Sequence, residues 1–95
     1  MELEDYLDNV KDQKSFIEFV KALQKDKENE DLKEQENPSG PFSPGQNGWE
    51  NNTIAGYLEA AVAWAEDSDF GEKIEKTTNT WKKLALFMYS GKIYE

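Results

Sequence analysis

The side chains of this chain that could do chemistry are mostly carboxylates: twenty Asp and Glu stand beside eleven lysines and four tyrosines, with no histidine and no cysteine. Thiol nucleophiles, disulfide frameworks, the common zinc sites and the usual neutral-pH proton shuttle are therefore excluded together. The densest acidic group is Glu66, Asp67, Asp69 and Glu72. Asp67-x-Asp69 has the opening of an oxygen-ligand calcium loop, but Gly71 comes one place early, and Thr78 stands where a bidentate acid should fall. The expectation is a helix end and a solvated acidic turn, with no metal and no cofactor. Paired carboxylates also serve as general acid and base, yet that role needs one of them buried beside a cleft. No catalytic residue is assigned, and the chain is read as a non-enzyme.

The acids have a second use. A formal charge of -9, with lysines only and no arginine, disfavours nucleic acid and anionic membrane surfaces and instead steers a basic protein toward the chain. Trp49, Tyr57, Trp64, Phe70, Trp81, Phe87, Tyr89 and Tyr94 exceed what three short helices must bury; core packing is the expected role of any one of them, and the surplus is open to face outward as docking residues. The expected partner-binding set is Glu66, Asp67, Asp69, Glu72 and Trp49. Lys82-Lys83 reads as a solvated helix face, and Asn51-Asn52-Thr53, although a glycosylation sequon, reads as a helix cap. No basic patch precedes an apolar run at the N-terminus and no apolar stretch approaches a membrane span, so the expected setting is cytoplasmic.

The elements that would position these residues are all helical, within one domain spanning 1–95. Leu3, Tyr6, Leu7 and Val10 suggest a short first helix. Asp12 or Ser15 caps a second, whose stripe is Phe16, Phe19, Val20 and Leu23; beyond it Gln24 to Glu36 carries one apolar residue, Leu32, and is expected to be solvated or frayed. Residues 37–48 hold all three prolines and three of the six glycines and form a long loop, which Phe42 and Trp49 could tack to the core. A hairpin near it is left open. Asn51, Asn52 or Thr53 caps a central helix with the stripe Ile54, Tyr57, Leu58, Ala61, Trp64 and Ala65. After a second connection, a last helix runs from Thr78 or Thr80 through Trp81, Leu84, Ala85 and Met88 to a stop at Gly91, with Ile93-Tyr94 folding back. The predicted fold is a compact all-α bundle of three main helices plus a short N-terminal one.

Across residues 12 to 95 the chain resembles a group of small acidic bacterial domains of unknown function. The resemblance rests on Phe16-Ile17-Glu18-Phe19 and Leu23, on Trp49-Glu50-Asn51-Asn52-Thr53-Ile54, on Tyr57-Leu58-Glu59-Ala60 and Trp64, and on Trp81-Lys82-Lys83-Leu84-Ala85 and the closing Lys92-Ile93-Tyr94-Glu95. It implies a bacterial source and a compact helical fold, and it supplies no catalytic residues. In size and charge the chain is also similar to immunity proteins, which neutralise a basic toxin by covering it. The expected function is thus a non-catalytic protein-binding module, an immunity or antitoxin-like inhibitor. The alternatives are a small carboxylate-dependent enzyme and an oligomerising structural domain.

Overall fold

The computed structural model describes residues 2–40, 45–72 and 79–94. The proposed tacking by Phe42 and most of the second connection, residues 73–78, lie outside them. Four helices follow one another: α1 (Leu3–Asp8), α2 (Gln13–Glu36), α3 (Ile54–Asp67) and α4 (Thr80–Ile93). No strand occurs among the described residues.

Local chemistry sets each helix start. Asp12 ends the turn after α1: its carboxylate accepts the Ser15 N–H at 2.8 Å, while the Ser15 hydroxyl accepts the N–H groups of Lys11 and Asp12. The Ser15 N–H foremost, and then the Ser15 hydroxyl, which donates to the same carboxylate at 2.7 Å, hold the Asp12 carboxyl below its ordinary value. Thr53 caps α3 through the Gly56 N–H at 2.9 Å. Asn79 caps α4 through the Lys82 N–H and donates its amide to the Lys11 carbonyl, so the last helix starts against the α1–α2 turn. The Lys82 ammonium adds a 2.7 Å bond to the Leu7 carbonyl.

The main core gathers Leu3, Leu7 and Val10 from the N-terminal segment, Phe19 and Leu23 from α2, Trp49 from the loop and Ala85 from α4. α4 packs against the other three helices, most closely against α3. Small residues permit that approach: Ala60, Ala61 and Ala85 are buried in the two facing helices. Next to this seam Phe70 stacks on Phe87 at 5.4 Å with planes 7° apart and meets Trp64 edge-on at 5.8 Å.

Four sequence expectations need correction. After Leu23 α2 is largely solvated, as one of the two alternatives had it, but it does not fray; it continues to Glu36, and its polar half holds a loop, as described below. α4 does not stop at Gly91 but reaches Ile93; Gly91 is instead where the helix backbone meets the Tyr57 ring, and a methyl there would lie 2.7 Å from it. Among the described residues no aromatic is fully exposed, and the large apolar side chains facing solvent are Ile17, Leu32, Ile54, Leu58, Val62, Leu84 and Ile93. Ile54 and Leu58, expected in the buried stripe of α3, are 82% and 50% exposed. For Leu58 the reason is angular, whereas Ile54 is the first residue of the helix. At about 100° per residue Leu58 stands about 120° from Trp64, whose side with Ala60 and Ala61 faces inward.

Gly91→Ala separates propensity from packing. Alanine gains about 1 kcal/mol in a helix interior, but overpacking against the Tyr57 ring costs about 1–3 kcal/mol, so a net loss is expected as a lower urea midpoint at unchanged slope. Two half-buried phenols set an alkaline limit. Burial pushes Tyr57 up to about 12, and burial with the Glu4 carboxylate does the same for Tyr89. Both bind their proton more tightly folded than unfolded, so their stabilisation is complete below the ordinary tyrosine value near 10 and is lost as pH rises through about 12. Melting temperature should fall across that window, and less steeply in Tyr89→Phe.

Candidate functional site

The polar half of α2 is a template for the loop that follows it. Glu30, 1% exposed, accepts the backbone N–H groups of Asn47 at 3.0 Å and Trp49 at 3.2 Å on one carboxylate oxygen, and the Lys27 ammonium lies 3.5 Å from the other. One turn on, Glu34 accepts the Ser39 N–H and hydroxyl and the Gln46 N–H, which keep its carboxyl below the ordinary value. Asn47 spans back to the Asp26 carbonyl and the Asn29 side chain, and accepts from the Lys33 ammonium. The loop passes so close to Glu30 that a Cβ at Gly45 would collide with its carboxylate.

This template places Trp49. Its ring is 4% exposed, its indole N–H donates to the Asp26 carboxylate at 2.8 Å, and the same carboxylate oxygen pairs with Lys92 at 2.8 Å. The ammonium groups of Lys27 and Lys92 lie 5.7 Å and 5.6 Å from its centroid, within cation–π range. Lys92 is itself buried, which the ion pair and the ring make tolerable. Trp49 is therefore a structural anchor with one edge toward a groove, in contrast to the exposed docking aromatic expected from sequence.

The acids are placed differently. Glu66 and Asp67 are exposed at the end of α3, and Asp67 accepts the Tyr94 hydroxyl at 2.7 Å, which raises that phenol. Asp69 is exposed on a left-handed turn, φ 52°, continued by Phe70 and Gly71. Non-glycine residues avoid this region. Here the Ser68 hydroxyl, which accepts the Gly71 N–H and donates to the Trp64 carbonyl, and the rings around Phe70 hold it. Glu72 is half-buried and paired with Lys83 at 2.5 Å. Trp49 has other partners, Asp26, Lys27, Lys92 and Tyr57, so the five expected residues do not form one cluster of mutual bonds. Among the described residues no three acids converge as a metal cage would require, and no helix is long and apolar enough to cross a membrane.

Two features went unread in the sequence. The first is a groove of about 370 Å³ between α2 and α3, lined by Val20, Leu23, Tyr57 and Met88 with the edge of Trp49, and bounded by Gln24, Lys27, Glu28 and residues 51–54. The second is the exposed stripe Ile54, Leu58 and Val62, spaced by four along α3 and beginning at the groove's rim. Its signal was present: α3 is apolar on nearly its whole circumference, which one buried face does not require. Charge is uneven along the same stretch of sequence. From residue 45 to 72 the chain carries Glu50, Glu59, Glu66, Asp67, Asp69 and Glu72 and no lysine.

Glu30→Ala would leave the Asn47 and Trp49 N–H groups without their buried acceptor, at a cost of about 3 kcal/mol. Glu30→Gln, which keeps an acceptor oxygen, should lose clearly less. Urea unfolding followed by tryptophan fluorescence measures both, and equal losses would show that the charge, not the acceptor, is what matters.

No characterised protein and no solved structure matches this chain. A family model does, over residues 11–95, nearly the span on which the sequence resemblance rested: the chain belongs to DUF7660, a family of unknown function.

Proposed function

We propose that this chain is a non-catalytic protein-binding module that covers a basic partner, as an immunity or antitoxin-like inhibitor does. The observation that carries the proposal is the 45–72 segment, where six acids and no lysine accompany the solvent-facing side chains of Ile54, Leu58 and Val62. Charge on such a surface steers a partner of opposite sign, and apolar area supplies the affinity that exposed charges alone do not. Glu59, Glu66 and Asp69 are exposed and form the steering part of the surface.

The groove supports the non-catalytic reading in a limited way. Among the described residues Glu28 is the only carboxylate that lines it, and the Tyr57 hydroxyl is held at about 12 while donating to the Met88 carbonyl at 2.6 Å. A phenol held there is not poised for proton transfer near neutral pH.

Capture from the host's lysate on the tagged chain, at about 50 mM and about 500 mM salt, should retain one basic protein in near-equal amount at the lower value and release it at the higher. The variant Glu59→Lys/Glu66→Lys/Asp69→Lys should lose it at both. A specific partner that is neutral or acidic, or that stays bound in high salt and to the variant, would overturn the electrostatic basis of the reading.

A further inference from the structure

Asn47 is the only asparagine of the chain that precedes a glycine. The turn itself requires that glycine: φ at Gly48 is 86°, which L side chains avoid, although a Cβ there would meet nothing within 4 Å. With no side chain at 48 to hinder it, the Gly48 backbone nitrogen is able to attack the side-chain carbonyl carbon of Asn47. A C–N bond forms, the bond to Nδ2 breaks, the Gly48 proton departs with that nitrogen as ammonia, and a five-membered succinimide remains. Water opens the ring at either carbonyl, which gives an aspartyl or an isoaspartyl residue at 47. Water is the one co-reactant, and it has access, since Asn47 is half-buried and Gly48 exposed.

The fold restrains both reacting groups. Asn47 Nδ2 donates to the Asp26 carbonyl at 2.8 Å and to Asn29 Oδ1 at 3.1 Å, and Asn47 Oδ1 accepts from Lys33 at 2.9 Å. The Gly48 N–H donates to the Gly45 carbonyl at 2.8 Å. Ring closure turns the Asn47 side chain back onto its own backbone, which breaks the first three bonds, and it needs the Gly48 nitrogen free of the fourth. The reaction therefore runs through a local opening of the loop. Its product does not suit the closed loop. Lys33 still pairs with a carboxylate at 47, but that carboxylate has no donor for the Asp26 carbonyl, and it adds an anion to the residue whose N–H the buried Glu30 accepts. An isoaspartyl residue also inserts one backbone carbon between the N–H groups of residues 47 and 49, the two that share one Glu30 oxygen. We infer that Asn47-Gly48 is a modification site, held as the amide by α2, and that its deamidation releases residues 45–49, and Trp49 with them, from that helix. Because hydrolysis of the succinimide is not reversed, the site is a one-way switch on the segment that places Trp49.

The test holds the full chain at mildly alkaline pH, folded or in denaturing urea, and follows residue 47 by peptide mass spectrometry, with the isoaspartyl form resolved by chromatography. The folded chain should deamidate there at least about tenfold more slowly than the unfolded one, because an opening that breaks four hydrogen bonds precedes the step. Asn29→Ala/Lys33→Ala removes two of those bonds at exposed positions of α2 and should speed the folded reaction at least about threefold, with the rate in urea unchanged. The deamidated chain, separated from the unreacted one, should show a lower urea midpoint and a displaced NMR signal for the Trp49 indole N–H, the group bound to Asp26. Asn47→Asp should displace the same signal. Equal rates in the folded and unfolded chain, or a folded rate indifferent to the double variant, would overturn the protection by α2. A deamidated chain with an unchanged midpoint and indole signal would overturn the switch.

Discussion

A carboxylate taken out of water must be matched by hydrogen bonds and charge, or it destabilises the fold around it. Glu30 is such a group, and its matching partners are the backbone N–H groups of Asn47 and Trp49, 17 and 19 residues further along the chain, with Lys27 alongside. Satisfying Glu30 therefore fixes the path of residues 45–49 along α2, demands glycine at 45, and brings Trp49 under Asp26. Asp26 in turn pairs with Lys92, so the last turn of the last helix is tied to the middle of the second. One buried acid thus couples three elements far apart in sequence.

The open groove is a consequence of the same coupling. Once Trp49 is placed, the chain must enter α3 within a few residues. Asn51 anchors that entry on the C-terminal end of α4, donating to the carbonyls of Gly91 and Tyr94, and the Glu50 N–H adds a bond to the Lys92 carbonyl. α3 consequently lies along α4. Its link to α2 at this end is Lys27, which reaches Asn52 on the far side of the groove. The space between the two helices stays unfilled because the elements around it are each held by something else.

The helices themselves were legible because each is driven by apolar spacing: Phe16, Phe19 and Leu23, then Tyr57, Ala61 and Trp64, then Trp81, Ala85 and Met88, all mark real faces. The polar half of α2 was misread because burial of Glu30 and solvation of its neighbours leave the same mark in a sequence, a charged residue in a charged run. Only the loop's return distinguishes them. The cap of α3 was ambiguous for a related reason: Asn51, Asn52 and Thr53 are all good caps, but the first two bond α4 and Lys27, leaving Thr53 for the helix. Gly91 shows a third kind of ambiguity, since a glycine late in a helix marks a stop or a close approach, and the Tyr57 ring decides for the second.

Charge is where counting and geometry part most clearly. By sequence the excess of acids is N-terminal, -6 in residues 1–36 against -3 in the remainder. Yet many of those acids are occupied: Asp12 caps a helix, Asp26 and Glu30 hold Trp49 and its backbone, Asp31 pairs with Lys27, and Glu34 binds the loop at Ser39 and Gln46. The exposed acids Glu59, Glu66 and Asp69 lie along α3 and the turn after it, and Glu18, Glu28 and Glu36 are exposed on α2. Glu72 is tied to Lys83, but Glu59, Glu66 and Asp69 stand in solvent on a segment without a lysine of its own. Acids within the α2 network build the molecule, and on the proposed reading the exposed acids of α3 and the turn after it are the ones left to steer a partner.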